Sequence, residues 1–150
     1  MDSIQISPRE PHRLSLRLRL VLAAVGLGLL APLGIATRLQ PDPRGQGTHQ
    51  QLGLPPCTFL MLIGNRCPSC GMTTSWAYAV RGQWVRSAAT NAGGFVLALV
   101  AAVLGPWLVA SAALGRWLTR PPQEGVWAAG AVVVVVIVLA DWAYRLKFGL

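Results

Sequence analysis

Between Ala92 and Leu114 the chain reads AGGFVLALVAAVLGPWLVASAAL, without a single charged residue. At about 1.5 Å of rise per residue, a helix of this length crosses the ~30 Å hydrocarbon core of a bilayer. Pro106 falls inside it and is expected to kink the span, removing one backbone hydrogen bond that neighbouring helices can make good. A second uncharged run, with VVVVVIVLA at its heart, ends before Asp141 in the segment from Val126 to Tyr144. Valine runs favour strands in water, but in lipid a lone segment must close its backbone bonds internally, so a helix is expected. A third apolar segment, Leu20 to Ala36, is interrupted late by Pro32 and sits at the short end of the spanning range. It also has the basic flank, apolar run and small-residue ending (Gly34-Ile35-Ala36) of a cleavable signal peptide. Its length past Pro32 favours a retained helix.

Composition agrees with lipid as the solvent. Hydrophobic residues make up 53% of the 150 and charged residues 12%, against about 25% charged in soluble proteins. The net charge of +8 comes from thirteen Lys and Arg against five Asp and Glu. These cations flank the apolar segments, at Arg13, Arg17 and Arg19, at Arg81 and Arg86, at Arg116 and Arg120, and at Arg145 and Lys147. That arrangement suits spans that meet anionic lipid, and no basic stripe with interleaved aromatics points to nucleic acid. The positive-inside comparison is a tie: Arg9, Arg13, Arg17, Arg19, Arg116 and Arg120 lie on one side and Arg38, Arg44, Arg81, Arg86, Arg145 and Lys147 on the other. The first helix usually dominates, which puts the N-terminus in the cytoplasm and the loop after the first span outside.

The expected fold is an all-α integral membrane protein with three transmembrane helices. Its segments are a basic tail (1–19), a first span (20–36), a flexible Gly-, Pro- and Gln-rich loop (37–56), a cysteine-bearing region (57–91), a second span (92–114), a connector ended by Pro121-Pro122 (115–125), a third span (126–144) and a C-terminal tail (145–150). Within 57–91, TFLMLI (58–63) is too short to cross and should pack on the surface or on other helices. Met72, Trp76, Val80 and Trp84 recur every four residues, predicting one short interfacial helix that continues past Gly82. Trp76, Tyr78 and Trp84 suit the headgroup level. Asp141 is the one acid near a span, and Arg145, a helical turn on, is its expected partner.

Chemistry concentrates in IGNRCPSCGMTTS. The three cysteines form Cys57-x9-Cys67-Pro68-Ser69-Cys70, with Gly64 and Gly71 at turns on either side of the CPxCG knuckle. Two thiols two residues apart can face one zinc ion, and Gly71 is free to take positive φ. A closed structural site needs four ligands, and beyond Cys57, Cys67 and Cys70 only distant His49 is on offer. Thiol redox chemistry is the second reading, with Cys67 as nucleophile at the start of a helix and Cys70 as resolving partner. The third is a structural disulfide or packed turn, which leaves an odd thiol whichever pair forms. This structural or partner-docking reading is preferred, with a membrane protein as the partner and no catalytic residue assigned. Thr73, Thr74 and Ser75 are expected to cap the helix or the turn locally rather than act as nucleophiles.

Cys57, Gly64, CPSCGMTTSW (67–76), Gly82, Ala88 and Asn91 together resemble the small bacterial membrane proteins of domain of unknown function family 2752. Members of that family often carry Pro after the first Cys, CPGCG, Arg after the motif threonine and Asn-Pro before the next span. Here Thr58, Ser69, Thr74 and Ala92 stand at those positions. The resemblance implies a multi-span protein of the bacterial inner membrane and brings no reaction, substrate or cofactor.

Overall fold

The computed structural model describes residues 13–148. The start of the basic tail, through residue 12, and the last two residues of the C-terminal tail lie outside that range. Helices run as α1 (Leu16–Arg38), α2 (Thr58–Ile63), α3 (Met72–Ala79), α4 (Trp84–Thr90), α5 (Ala92–Leu114) and α6 (Glu124–Phe148), with a 3-10 turn at Thr48–Leu52 and no strand among the described residues. Three of them, α1, α5 and α6, are long and apolar enough to cross a membrane. Two spans exceed their apolar cores: α1 starts at Leu16, where Ser15 accepts a hydrogen bond from the Leu18 amide. Arginine and lysine stems can stay helical while their heads reach water.

Helices α1 and α5 lie antiparallel, and glycines set their closest approach. A Cβ on Gly26 would come 2.9 Å from the Gly105 carbonyl oxygen, and one on Gly105 would come 2.6 Å from Leu30 Cγ. Small residues let membrane helices approach in this way, so that dispersion contacts replace the hydrophobic drive lipid does not provide. An arginine fastens each end of the pair. Arg19 donates to the carbonyls of Ala112 (2.8 Å) and Ala113 (3.1 Å) at the end of α5. At the opposite end Arg81 donates to Ala36 (3.2 Å), Thr37 (3.3 Å) and Leu39 (2.6 Å), where α1 stops. Both satisfy carbonyls that a helix C-terminus leaves without partners, and both place a cation at the negative end of the helix dipole.

Helix α6 crosses beside the N-terminal half of α5, where a Cβ on Gly93 would overlap Val138. Its apolar window is otherwise unburied by protein, as expected of a span facing lipid. The chain therefore gathers the C-terminal ends of α1 and α6, the N-terminal end of α5, and all of α2, α3 and α4 at one membrane face.

The cysteine region departs from the expected single helix. Helix α3 ends at Ala79, and Gly82 takes φ of 71°. The Gly82 amide donates to Ala79 (3.0 Å) and the Gln83 amide to Tyr78 (3.1 Å), the paired bonds of a Schellman stop. Met72 and Trp84 thus belong to different helices, and Trp84 is exposed. The four-residue spacing across Gly82 was the misleading signal, since a glycine at that position ends a helix at little cost. The loop 37–56 is also more ordered than its composition suggests: Thr48 is fully buried and shares a 2.7 Å hydrogen bond with the Thr74 hydroxyl.

Candidate metal centre

Cys57 is the residue before α2, and α2 ends at Gly64, whose φ of 73° reverses the chain toward the knuckle. Cys67 to Cys70 form a tight turn closed by the Cys70 amide on the Cys67 carbonyl (3.0 Å), with Pro68 at the second position, where its fixed φ suits a turn. Gly71 follows at φ 84°, and a Cβ there would come 2.5 Å from the Gly45 carbonyl oxygen, so both conformation and space require glycine.

This backbone brings three sulfurs to one point. Sγ of Cys67 and Cys70 are 3.1 Å apart, Cys57 and Cys70 3.4 Å, and Cys57 and Cys67 3.6 Å. All three are free thiols, and the Cys67 amide lies 3.3 Å from Cys70 Sγ as a donor. Cys70 is buried and the other two are partly exposed. Burial pushes the Cys70 thiol up to about 12, with its two neighbouring thiols adding to the shift. Cys57 is held below its ordinary value, chiefly by the backbone amide of Leu60.

The back of the turn is clamped by two spans. Asn91 is fully buried, accepts from the Gly94 amide (2.6 Å) as the cap of α5, and donates from Nδ2 to the carbonyls of Pro68 (3.2 Å) and Cys70 (3.1 Å). Arg145 on α6 donates to the same two carbonyls, at 3.0 Å to Cys70 and 3.2 Å to Pro68, and Trp142 Nε1 donates to Arg66 O at 2.7 Å. Arg145 is 5% exposed and pairs with Asp141 at 2.8 Å. The expected Asp141–Arg145 pair therefore forms, and it is buried against the knuckle. A guanidinium so placed needs an anion and acceptors together, and its two Nη groups have both, while Nε is buried without a partner among the described residues.

The hydroxyls expected to cap α3 act over longer range. The residue before α3, Gly71, has no side chain to cap it. Ser75 bonds the Ser87 hydroxyl (2.9 Å) and the Asn91 carbonyl (3.1 Å), joining α3 to α4 and to the start of α5, while Thr74 bonds Thr48. Thr73 lines a cleft of about 460 Å³ together with Cys57, Cys67, Cys70, Gln46 and His49. His49 shares that cleft but lies outside the thiol group, its Nε2 being 3.1 Å from the Pro55 carbonyl oxygen. Gln46 Oε1 is buried with no hydrogen-bond partner among the described residues. Gln46 and Trp142 carried no signal in the sequence, and Arg145 signalled only its pairing with Asp141, because all three meet the knuckle from segments distant in the chain.

No curated protein and no solved structure matches the chain. Residues 57–105, which hold the thiol centre, the α3–α4 hairpin and the first half of α5, match the family model described as "Protein of unknown function (DUF2752)". That stretch, less than half of the chain, is similar to the same family that its CPSCG motif resembles.

Proposed function

We propose that this is an inner-membrane protein whose Cys57, Cys67 and Cys70 hold one zinc ion at the membrane face, with a fourth position open to the cleft. The convergence of all three sulfurs carries this reading. A disulfide or a packed turn needs only a pair, whereas here each sulfur lies within 3.6 Å of both others. Zn–S bonds of about 2.3 Å in a tetrahedral site set sulfurs about 3.8 Å apart, so the thiols need spread only by tenths of an ångström. The amide donor on Cys70 Sγ and the orphaned Gln46 Oε1 on the cleft wall fit thiolate ligation with a protonated exogenous ligand. Three protein ligands and an open position are the pattern of sites that bind or exchange something, while four close a purely structural site.

The N-terminus is placed in the cytoplasm on the dominance of the first helix, with the thiol centre on the opposite side. The close crossing of α1 on α5 supports α1 as a permanent span. Cysteine labelling from each side of intact cells tests the orientation, and labelling of Cys67 only from the cytoplasm would reverse it.

The metal reading is tested by elemental analysis of the full chain purified without chelator, with thiol counting. About one zinc per chain is expected, lost on replacing any one of the three cysteines by serine, with zinc shielding all three thiols from alkylation. A metal-free protein with a disulfide between two of them would instead support the structural or redox reading.

A further inference from the structure

A second cleft, of about 840 Å³, opens on the same membrane face, where α4 leads into α5 and α6 leaves the bilayer. Arg44, Arg66, Arg86 and Arg145 line it, with Tyr78 and Tyr144 between them and Asp141 as the one acid. Two of these cations are already neutralised, Arg145 by Asp141 at 2.8 Å and Arg44 by Asp42 at 2.7 Å. Among the described residues no acid pairs with Arg66 or Arg86. Two arginines without an acidic partner therefore line one recess at the end of α6 and the start of α5.

We infer that this recess binds a phosphodiester anion, presented by the headgroup of an anionic phospholipid. Guanidinium forks match phosphate oxygens in a bidentate way that ammonium groups cannot. Tyr78 and Tyr144 supply what the lipid source requires: rings that lie against glycerol and acyl carbons while their hydroxyls stay wet. A cation near an anionic membrane surface attracts such lipid, and two in one recess localise a single headgroup. The inference is independent of the thiol centre, since Arg66 and Arg86 are not ligands and the recess stands without an ion.

The test is titration of the full chain in neutral detergent with phosphatidylglycerol, phosphatidylcholine and sn-glycerol 3-phosphate. Phosphatidylglycerol should bind, and the Arg66→Gln/Arg86→Gln variant should weaken that binding roughly ten- to thirtyfold, as expected for two interfacial cations. The Arg66→Lys/Arg86→Lys variant should recover only part of it, through charge without the bidentate fork, and that partial recovery separates lost charge from lost folding. Arg116→Gln/Arg120→Gln, at the other membrane face, should change it less than about twofold if the attraction is local to the recess. Equal binding of phosphatidylcholine, or equal loss in the Arg116/Arg120 control, would overturn the site. If glycerol phosphate binds as tightly as the lipid, the anion is a soluble phosphoester and the lipid source falls.

Discussion

At the middle of the membrane α1 and α5 meet through Gly26 and Gly105, with dispersion and shape as the only forces between them there. At the knuckle, Asn91, Trp142 and Arg145 place side-chain N–H groups on the carbonyls of Arg66, Pro68 and Cys70. Both regions are tightly packed, but they fail differently. Apolar contact is non-directional, so the helix pair loses stability in proportion to the volume forced in or taken out. The knuckle is directional, and removing one donor leaves buried acceptors and a buried charge with nothing in exchange.

The contrast is sharpest between two sulfurs only 3.4 Å apart. In reduced, metal-free protein Cys57, with its lowered value, should react first with a thiolate-specific alkylating reagent near pH 8. Cys70, raised from 9.0 to about 12, should react about a thousandfold more slowly than an ordinary thiol, a factor of ten per pH unit, and more slowly still than Cys57. Mass spectrometry of the partly alkylated chain reads the order directly, and equal rates would mean that the turn is open to solvent. The sign for stability follows: the folded state holds the Cys70 proton more tightly than the unfolded state, so this contribution is intact below about pH 9 and is lost as pH rises toward about 12.

Breaking the clamp is the next largest effect. Arg145→Leu leaves Asp141 without its cation and removes the donors to Pro68 and Cys70. Removing one partner of a buried pair costs about 3–5 kcal/mol, so the thermal midpoint should fall and Cys70 should become open to alkylation. Arg145→Lys should recover only part, since one ammonium group cannot reproduce the planar fork on two carbonyls. A midpoint unchanged by Arg145→Leu would show that α6 does not hold the knuckle.

The same contrast explains what the sequence disclosed. The three spans were legible because a bilayer permits uncharged stretches of that length few other structures. The knuckle was legible because CPxCG and the flanking glycines are local in the chain. The joining of Cys57 to it was not, since it depends on where α2 and Gly64 send the intervening residues. The clamp was hidden for a similar reason: Arg145 lies 75 residues from Cys70 and looked complete as the partner of Asp141. Gly82 misled because helical spacing on both sides of it agreed by chance with one continuous face. The Thr48–Thr74 contact joins a stretch whose composition predicts a flexible loop to a hydroxyl expected to cap locally, and a buried pair of hydroxyls leaves no periodic trace.

In the helix pair, Gly105→Val should cost about 1–3 kcal/mol, the usual range for overpacking a tight contact. The added Cβ alone would come 2.6 Å from Leu30 Cγ, and a branched side chain cannot withdraw from it. Shortening the opposing side chain with Leu30→Ala in the same chain should restore part of the loss, and that partial rescue is the evidence for direct contact. A change in thiol alkylation with Gly105→Val would be unexpected, because the knuckle is fastened to α5 at Asn91, several turns away.

Helix α6 supplies the limiting case. Val135 is 55% exposed to the surroundings of the chain, on a span whose apolar window is unburied by protein. In water, replacing such a valine would test a β preference, but in lipid the neighbours are acyl chains that reshape around either side chain. Val135→Leu should therefore shift stability by less than about 0.5 kcal/mol, the range of substitutions away from packed features. Val138→Leu on the same helix should cost more, since Val138 already fills the space above Gly93. Thermal midpoints of the two variants in one detergent compare lipid-facing and protein-facing positions on a single helix. Equal losses would mean that the valine face of α6 is covered by protein rather than by lipid.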